Sequence, residues 1–209
     1  MLVSKRMPTD LITIKKEDTL RHTADLLREN SVRSLPVVDG KKVVGIVSDR
    51  DVRQAWASSV TSLEVSELHY LLEKVKVDEI MSKNVITVSP ETTIEETAQI
   101  IHDKKIHSLP VVDSGGALVG IITETDILEV LLEVMGVGEE SSRIELVLDD
   151  TPGQLAEATQ VIKGHNVNII SVVTAKGSSP GKRSCVLRLK TTELEEIKKD
   201  LADHGLELA

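Results

Sequence analysis

Ser34-Leu35-Pro36-Val37-Val38-Asp39, followed by Val44-Gly45-Ile46-Val47-Ser48-Asp49-Arg50-Asp51, returns later in the chain as Ser108-Leu109-Pro110-Val111-Val112-Asp113 and Val119-Gly120-Ile121-Ile122-Thr123-Glu124-Thr125-Asp126. The offset is 74 residues as far as Asp39/Asp113 and 75 from Gly45/Gly120 onward, so one residue entered the intervening turn. Each copy keeps a hydroxyl and a carboxylate at matched places, Ser48 with Asp51 and Thr123 with Asp126. A duplicated unit with such a pair predicts a paired ligand cleft, not one catalytic centre.

Working outward, each copy opens with an apolar run (Leu11–Ile14; Val85–Val88) that predicts a short strand. A helix follows, with Asp18 or Thr19 as cap in the first copy and Thr92 or Thr93 in the second. Leu20, Ala24 and Leu27, and Ile94, Ala98 and Ile101, repeat at helical spacing. Leu35–Val38 with Val43–Val47, and Leu109–Val112 with Leu118–Ile122, flank Gly-containing turns and predict hairpins. Closing helices are expected from near Asp49 and near Glu124. The unit reads β-α-β-β-α. About 45 residues of it cannot bury both sheet faces, so two copies must pack together.

Val77-Asp78-Glu79-Ile80-Met81 echoes Val3-Ser4-Lys5-Arg6-Met7, so the repeat includes its lead-in. Between the copies, Ser58–Ser62 predicts a polar loop and Glu67–Lys74 a helix with Leu68, Leu71, Leu72 and Val75 on one stripe. Gly136–Ser142 ends a Leu-rich helix and reads as a linker. Beyond it the pattern changes to strand (Arg143–Leu148), helix (to about Lys163), strand (Val167–Thr174), strand (Arg183–Lys190), helix (Thr191–His204) and a short last strand after Gly205. That order, βαββαβ, is ferredoxin-like. The expected segments are residues 1–76 and 77–136 for the two repeats, a linker at 137–142 and a third domain at 143–209. The fold class is α/β (α+β).

Composition removes several functions. The net charge is −9, and residues 1–142 carry 24 acidic against 16 basic groups, which argues against nucleic acid. The chain has no Phe, with Trp56 and Tyr70 as its aromatics, so stacking platforms for bases are unavailable. Any purine bound here must sit between aliphatic side chains. No window approaches the ~18 apolar residues of a membrane helix, and Met1–Arg6 lacks the apolar core of a signal peptide. The lone Cys185 lies in an alternating stretch, reads as a strand residue, and fits a reducing cytoplasm. His102 and His107 stand five residues apart, on different helix faces, so no metal site is expected. Neither a Ser-His-Asp pattern, a P-loop nor a Cys/His cluster is present, and catalysis is not expected.

The duplicated half, about residues 3–135, resembles the CBS-domain pair (Bateman module) through apolar-Pro-Val-Val-Asp and Gly-x-x-Ser/Thr-x-x-Asp in both copies. The resemblance implies two repeats packed about a pseudo-two-fold, with an adenosine-containing ligand between them: AMP, ADP, ATP or S-adenosylmethionine. It assigns Asp51 with Ser48, and Asp126 with Thr123, to the ribose hydroxyls. A carboxylate suits that task because it accepts two hydrogen bonds at once. The alternative is that Asp49 and Asp51, and Thr123 and Glu124, merely cap the following helices; the two roles are compatible, since a helix N-terminus favours an anion. For phosphate, the resemblance points to Arg33 and His107, and Lys15-Lys16 stand where the second copy has Ser89-Pro90.

Residues 143–209 resemble the ACT domain, a regulatory module that usually binds amino acids, through Asp150-Thr151-Pro152-Gly153-Gln154-Leu155 and Val167-Asn168-Ile169. That resemblance implies Asp150, Gly153 and Asn168 as amino-acid-binding residues, beside the alternative of a dimerising platform without ligand. The whole order resembles the acetoin-utilisation AcuB family. The CBS and ACT resemblances together imply a homodimeric, non-catalytic sensor that needs no cofactor, regulates another protein and responds to an adenine nucleotide, with the cytoplasm as its expected location. The competing expectation is a dimerisation adaptor with empty clefts.

Overall fold

The computed structural model describes residues 1–59 and 73–209. They form two compact units, Met1–Ile127 and Leu128–Ala209.

In the first unit, α1 (Leu20–Glu29) starts at Thr19, whose hydroxyl accepts the His22 N–H, and buries Leu20, Thr23 and Leu27. The hairpin β1 (Ser34–Asp39) and β2 (Lys42–Ser48) follows, with a register shift at Val37/Val38. Helix α2 (Asp49–Ser59) closes the repeat. The second repeat runs α3 (Val77–Ile80), α4 (Ile94–Lys104), β3 (Ser108–Val112), β4 (Leu118–Thr123) and α5 (Glu124–Val134), with the same register shift at Val111/Val112.

Helix α4 begins in a capping box. Thr93 Oγ1 accepts the Glu96 N–H, and Glu96 accepts the Thr93 N–H at 3.1 Å. These bonds from Thr93 backbone and hydroxyl hold the Glu96 carboxyl below its ordinary 4.5. Its contribution is therefore present above the unfolded value and lost as pH falls through the lower folded one. Thr93→Ala should cost about 1 kcal/mol in urea unfolding, a loss that shrinks when the titration is repeated in acid.

Two expected strands are single bridges instead. Of Leu11–Ile14, Ile14 alone pairs, with Val37; of Val85–Val88, Val88 alone pairs, with Val111. The cause is the next residue. Lys15 N–H is drawn to Asp18 Oδ2 at 2.7 Å, and Ser89 N–H to Thr92 Oγ1 at 3.1 Å, so each chain turns towards its helix cap after one pairing. The polar loop expected at Ser58–Ser62 begins inside α2, which runs to Ser59. Residues 60–62 and most of the Glu67–Lys74 helix lie outside the described residues, whereas Val75 packs on the first repeat's core.

An internal twofold follows from residues that touch their own counterparts. Ser34 Oγ meets Ser108 Oγ at 2.6 Å, and Lys42 bridges Ala117. A position can contact its own equivalent only across the dyad. The lead-ins cross it. Val77 and Met81 belong to the core of the first repeat, with Leu20, Leu35, Val37 and Val47. Val3 N–H bonds Thr92 O at 2.9 Å, and Ile94 N–H bonds Met1 O at 2.8 Å. Each repeat is thus completed by the segment that precedes the other. Val3 and Val77 are fully buried, each stabilising by about 1.5–3 kcal/mol.

The second unit is a four-stranded antiparallel sheet in the order β6-β7-β5-β8. It comprises β5 (Ser142–Asp149), α6 (Gln154–Gly164), β6 (Ile169–Lys176), β7 (Lys182–Leu189), α7 (Glu195–Asp203) and β8 (Glu207–Leu208). The inward side chains Ile144, Leu146, Leu148, Cys185, Leu187 and Leu189 meet Ala158, Ile162, Ile197 and Leu201 from the helices. Burial raises the Cys185 thiol pKa, consistent with an inert core residue. Strand β6 starts two residues later than expected because Asn166 takes a left-handed turn, φ 56°. Helix α7 starts at Glu195, not Thr191, because the Thr191 hydroxyl folds the chain back by accepting the Glu193 N–H. The unit boundary falls inside α5, and within the second unit Met135 O, one residue past that helix, accepts from Ser171 Oγ and Arg188 Nε, both at 2.9 Å.

Candidate ligand clefts

The Ser/Thr-x-x-Asp motif folds the same way in both repeats. Ser48 N–H and Oγ donate to Asp51 Oδ2 at 2.8 and 2.7 Å, and Asp51 N–H returns to Ser48 Oγ at 3.3 Å. Thr123 N–H and Oγ1 donate to Asp126 Oδ2 at 2.7 and 2.6 Å, with Asp126 N–H to Thr123 Oγ1 at 3.3 Å. The hydroxyl residue is the helix cap and the aspartate closes the box, so the capping reading holds. It uses only one oxygen. A carboxylate has about four acceptor sites; Oδ2 spends two, which leaves Oδ1 able to take two further donors in a fixed position.

Asp126 and Thr123 open into a cavity of about 320 Å³, within the ~300–1,000 Å³ range of small-molecule pockets. Pro8, Ile12, Val32 and Ile121 supply aliphatic walls, and Arg33 and His107 stand in the same lining. That meets the requirement that a purine sit between aliphatic groups. His107 Nδ1 lies 2.8 Å from Glu124 Oε2, so its ring is turned to that carboxylate. The lining includes Ser34 and Ser108, the pair on the dyad, and Asp10; none of these was singled out from sequence, although the retention of Ser in both copies was the available signal.

Around Ser48 and Asp51 the dyad repeats the lock and the backbone bonds that frame it. Ile121 N–H bonds Pro8 O at 3.4 Å, and the counterpart Ile46 N–H bonds Ser82 O at 3.1 Å. Arg33 O accepts the Asp49 N–H just as His107 O accepts the Glu124 N–H. Arg33 and His107 are counterparts at the same place in the two repeats, and both line the Asp126 cavity. Lys15 and Lys16 are placed elsewhere. They follow Ile14, and Lys16 Nζ lies 3.9 Å from Asp39 Oδ2 at the hairpin turn, while Ser48 and Ser34 pair at the other end of the hairpin. Five strand residues, roughly 17 Å, separate them.

In the second unit, Asp150 and Gly153 lie at the end of the sheet where Asp149 pairs with Lys182. Gly153 caps α6 with φ 102° and open space where a Cβ would stand; Asp150 Oδ1 is 3.8 Å from Arg183 Nη1. Asn168 lies at the opposite end, its carbonyl accepting the Lys190 N–H at 2.9 Å. An eight-residue strand spans roughly 25 Å, so one chain does not bring these three together. Among the described residues no group of His, Cys, Asp and Glu is arranged to hold a metal. No described helix is long and apolar enough to cross a membrane.

Twofold-related units of a bridging residue, a helix, a hairpin and a closing helix, each with a Ser/Thr-x-x-Asp lock, match a CBS pair, and β6-β7-β5-β8 with two helices matches an ACT-type sheet. The chain belongs to the CBS-domain family, whose model matches residues 3–58 and 77–133, and its C-terminal residues 140–209 match the TTHA0829-like ACT domain. It is 32% identical over 173 residues to inosine-5'-monophosphate dehydrogenase of Korarchaeum cryptofilum, covering 78% of this chain but only 33% of that enzyme. A solved acetoin utilization protein (AcuB) from Vibrio cholerae is 31% identical, with TM-score 0.56, covering 68% of this chain and 98% of that one. CBSX2 in complex with AMP is 30% identical, TM-score 0.53, covering 64% and 97%. The CBS domain pair of MJ0100, in complex with 5'-methylthioadenosine and S-adenosyl-L-methionine, is 28% identical, TM-score 0.53, covering 63% and 99%.

Proposed function

We propose that this chain is a non-catalytic regulatory sensor that takes an adenosine-containing ligand in its CBS clefts. The observation that carries this is the Thr123–Asp126 lock, which uses only Oδ2 of a carboxylate that lines a cavity with aliphatic walls. Two ribose hydroxyls match the acceptors left on Oδ1, and the adenine fits the walls formed by Ile12, Val32 and Ile121. Solved relatives holding AMP, or methylthioadenosine with S-adenosylmethionine, support the ligand class. Ligand binding regulates through differential affinity for two conformations of the chain.

The amino-acid site at the ACT domain, in this reading, draws Asp150 and Gly153 from one copy and Asn168 from another, because one chain holds them at opposite sheet ends. Self-association is supported by the exposed Leu128, Leu131 and Leu132 on α5.

Thermal unfolding against AMP, ADP, ATP, S-adenosylmethionine and the amino acids tests the reading. At a hundredfold excess over Kd, a ligand should add about 2.7 kcal/mol, or roughly 5–10 °C. A flat response to every adenosine compound would leave the adaptor with empty clefts.

A further inference from the structure

The dyad allows the two clefts to be compared place by place, and they differ in charge. Arg33 and His107 serve both and cancel. Three other places change, all in one direction. Asp10, which lines the Asp126 cavity, is answered across the dyad by Asn84. Ser31, in the same lining, is answered by Lys105, and both residues hold the same left-handed backbone, φ 54°. Thr125, beside Asp126 on the first turn of α5, is answered by Arg50, beside Asp51 on the first turn of α2.

With histidine neutral, the Asp126 cleft holds the carboxylates Asp10, Glu124 and Asp126 against the single cation Arg33, a net −2. Carried across the dyad, the same lining places on the Asp51 side the counterparts Asp49 and Asp51 against Arg33, Arg50 and Lys105, a net +1 by the same count. Asp49 is further offset by Arg53, whose Nη2 lies 2.9 Å from its Oδ2. A phosphate monoester carries roughly −1.5 to −2 at neutral pH. It is attracted to the second environment and repelled by the first, while the ribose lock is the same in both. Three of the four walls match, Ile12 with Ile86, Val32 with Ile106 and Ile121 with Ile46, while Pro8 is answered by Ser82, so the charged places are the larger difference and bear on the 5' substituent.

We propose that the two clefts divide adenosine ligands by charge: the Asp51 cleft takes a 5'-phosphorylated adenosine, and the Asp126 cleft takes an adenosine compound without phosphate. This rests on both clefts being adenosine sites. Asp10, Ser31, Arg50, Asn84, Lys105 and Thr125 are all exposed, so exchanging them between repeats leaves the core intact, and Ser is already accommodated in the backbone conformation of Lys105.

The test is calorimetric titration of the full chain with AMP and with adenosine, probes that differ only in the phosphate. Arg50→Thr, Asn84→Asp and Lys105→Ser together give the Asp51 cleft the residues of the other. The preference for AMP over adenosine should fall by about tenfold or more, the equivalent of losing one charge-assisted hydrogen bond, and its salt dependence should flatten. Asp10→Asn, Ser31→Lys and Thr125→Arg, placed in an Asp51→Ala background, should create AMP binding at the other cleft. An unchanged AMP preference in the first variant, or AMP binding lost in Asp126→Ala and kept in Asp51→Ala, would overturn the division by charge while leaving the adenosine reading standing. Failure of both AMP and adenosine to bind the unmodified chain would overturn that reading, and the inference with it. Unfolding midpoints without ligand confirm that each variant is folded.

Discussion

Asp126→Ala is expected to lose the rise in unfolding temperature that an adenosine ligand of its cavity gives the intact chain. The carboxylate spends Oδ2 on Thr123, and under the proposed function Oδ1 is the oxygen offered to the ribose. Each charge-assisted bond is worth about 1.5–3 kcal/mol, so losing two should raise Kd by at least about a hundredfold. The substitution also breaks the box that starts α5, at a cost of about 0.5–2 kcal/mol, so the ligand-free midpoint falls too. Two controls separate these effects. Asp126→Asn keeps an acceptor for Thr123 and the side-chain shape, so its baseline should stay near the parent while its ligand response drops. Asp51→Ala loses the equivalent box on α2 and should show a similar baseline loss, but it should retain the response of the Asp126 cavity. A full ligand shift in Asp126→Ala would show that this carboxylate does not hold the ribose.

Much of this site was legible because the chain states it twice. The hairpins, the caps and the starts of α2 and α5 depend on local chemistry: Gly40 in its turn, Thr93 with Glu96, and Ser48 or Thr123 three residues before an aspartate. What the sequence did not reveal is non-local. Val77-Asp78-Glu79-Ile80-Met81 was recognisable as a copy of Val3–Met7, but nothing in either segment says that it packs against the other repeat. Lys15 and Lys16 look like phosphate ligands by proximity to a helix start, yet strand direction places them at the hairpin turn. Asp150 and Asn168 share a motif in sequence and stand at opposite ends of a sheet, because β5 and β6 run the same way while the motif residues follow one strand and precede the other.

The crossed lead-ins set the second large effect. Gly120 sits in β4 under Met7: a Cβ there would stand 2.9 Å from Met7 Cγ and 3.2 Å from its Cβ. Gly45 is under Met81 in the same way, at 3.0 and 3.3 Å. Sδ and Cγ could swing aside by a change of rotamer, but Cβ, at 3.2 Å, moves only with the backbone. Gly120→Val should therefore displace the segment that buries Val3 and bonds Thr92, destabilising by about 2–3 kcal/mol and lowering the midpoint by roughly 4–12 °C. Coupling identifies the cause. Met7→Ala leaves a void and Gly120→Ala a clash, but together each relieves the other, so the double variant should be more stable than the sum of the singles by about 1 kcal/mol or more. Strict additivity would mean that Met7 and Gly120 are not in contact. The effect should also be directional. Pro8, next to Met7, lines the Asp126 cavity, and Ser82, next to Met81, bonds Ile46 on the Asp51 side. Gly120→Val should weaken ligand at Asp126 more than at Asp51, and Gly45→Val the reverse, because each lead-in is a wall of the cleft it crosses over to complete.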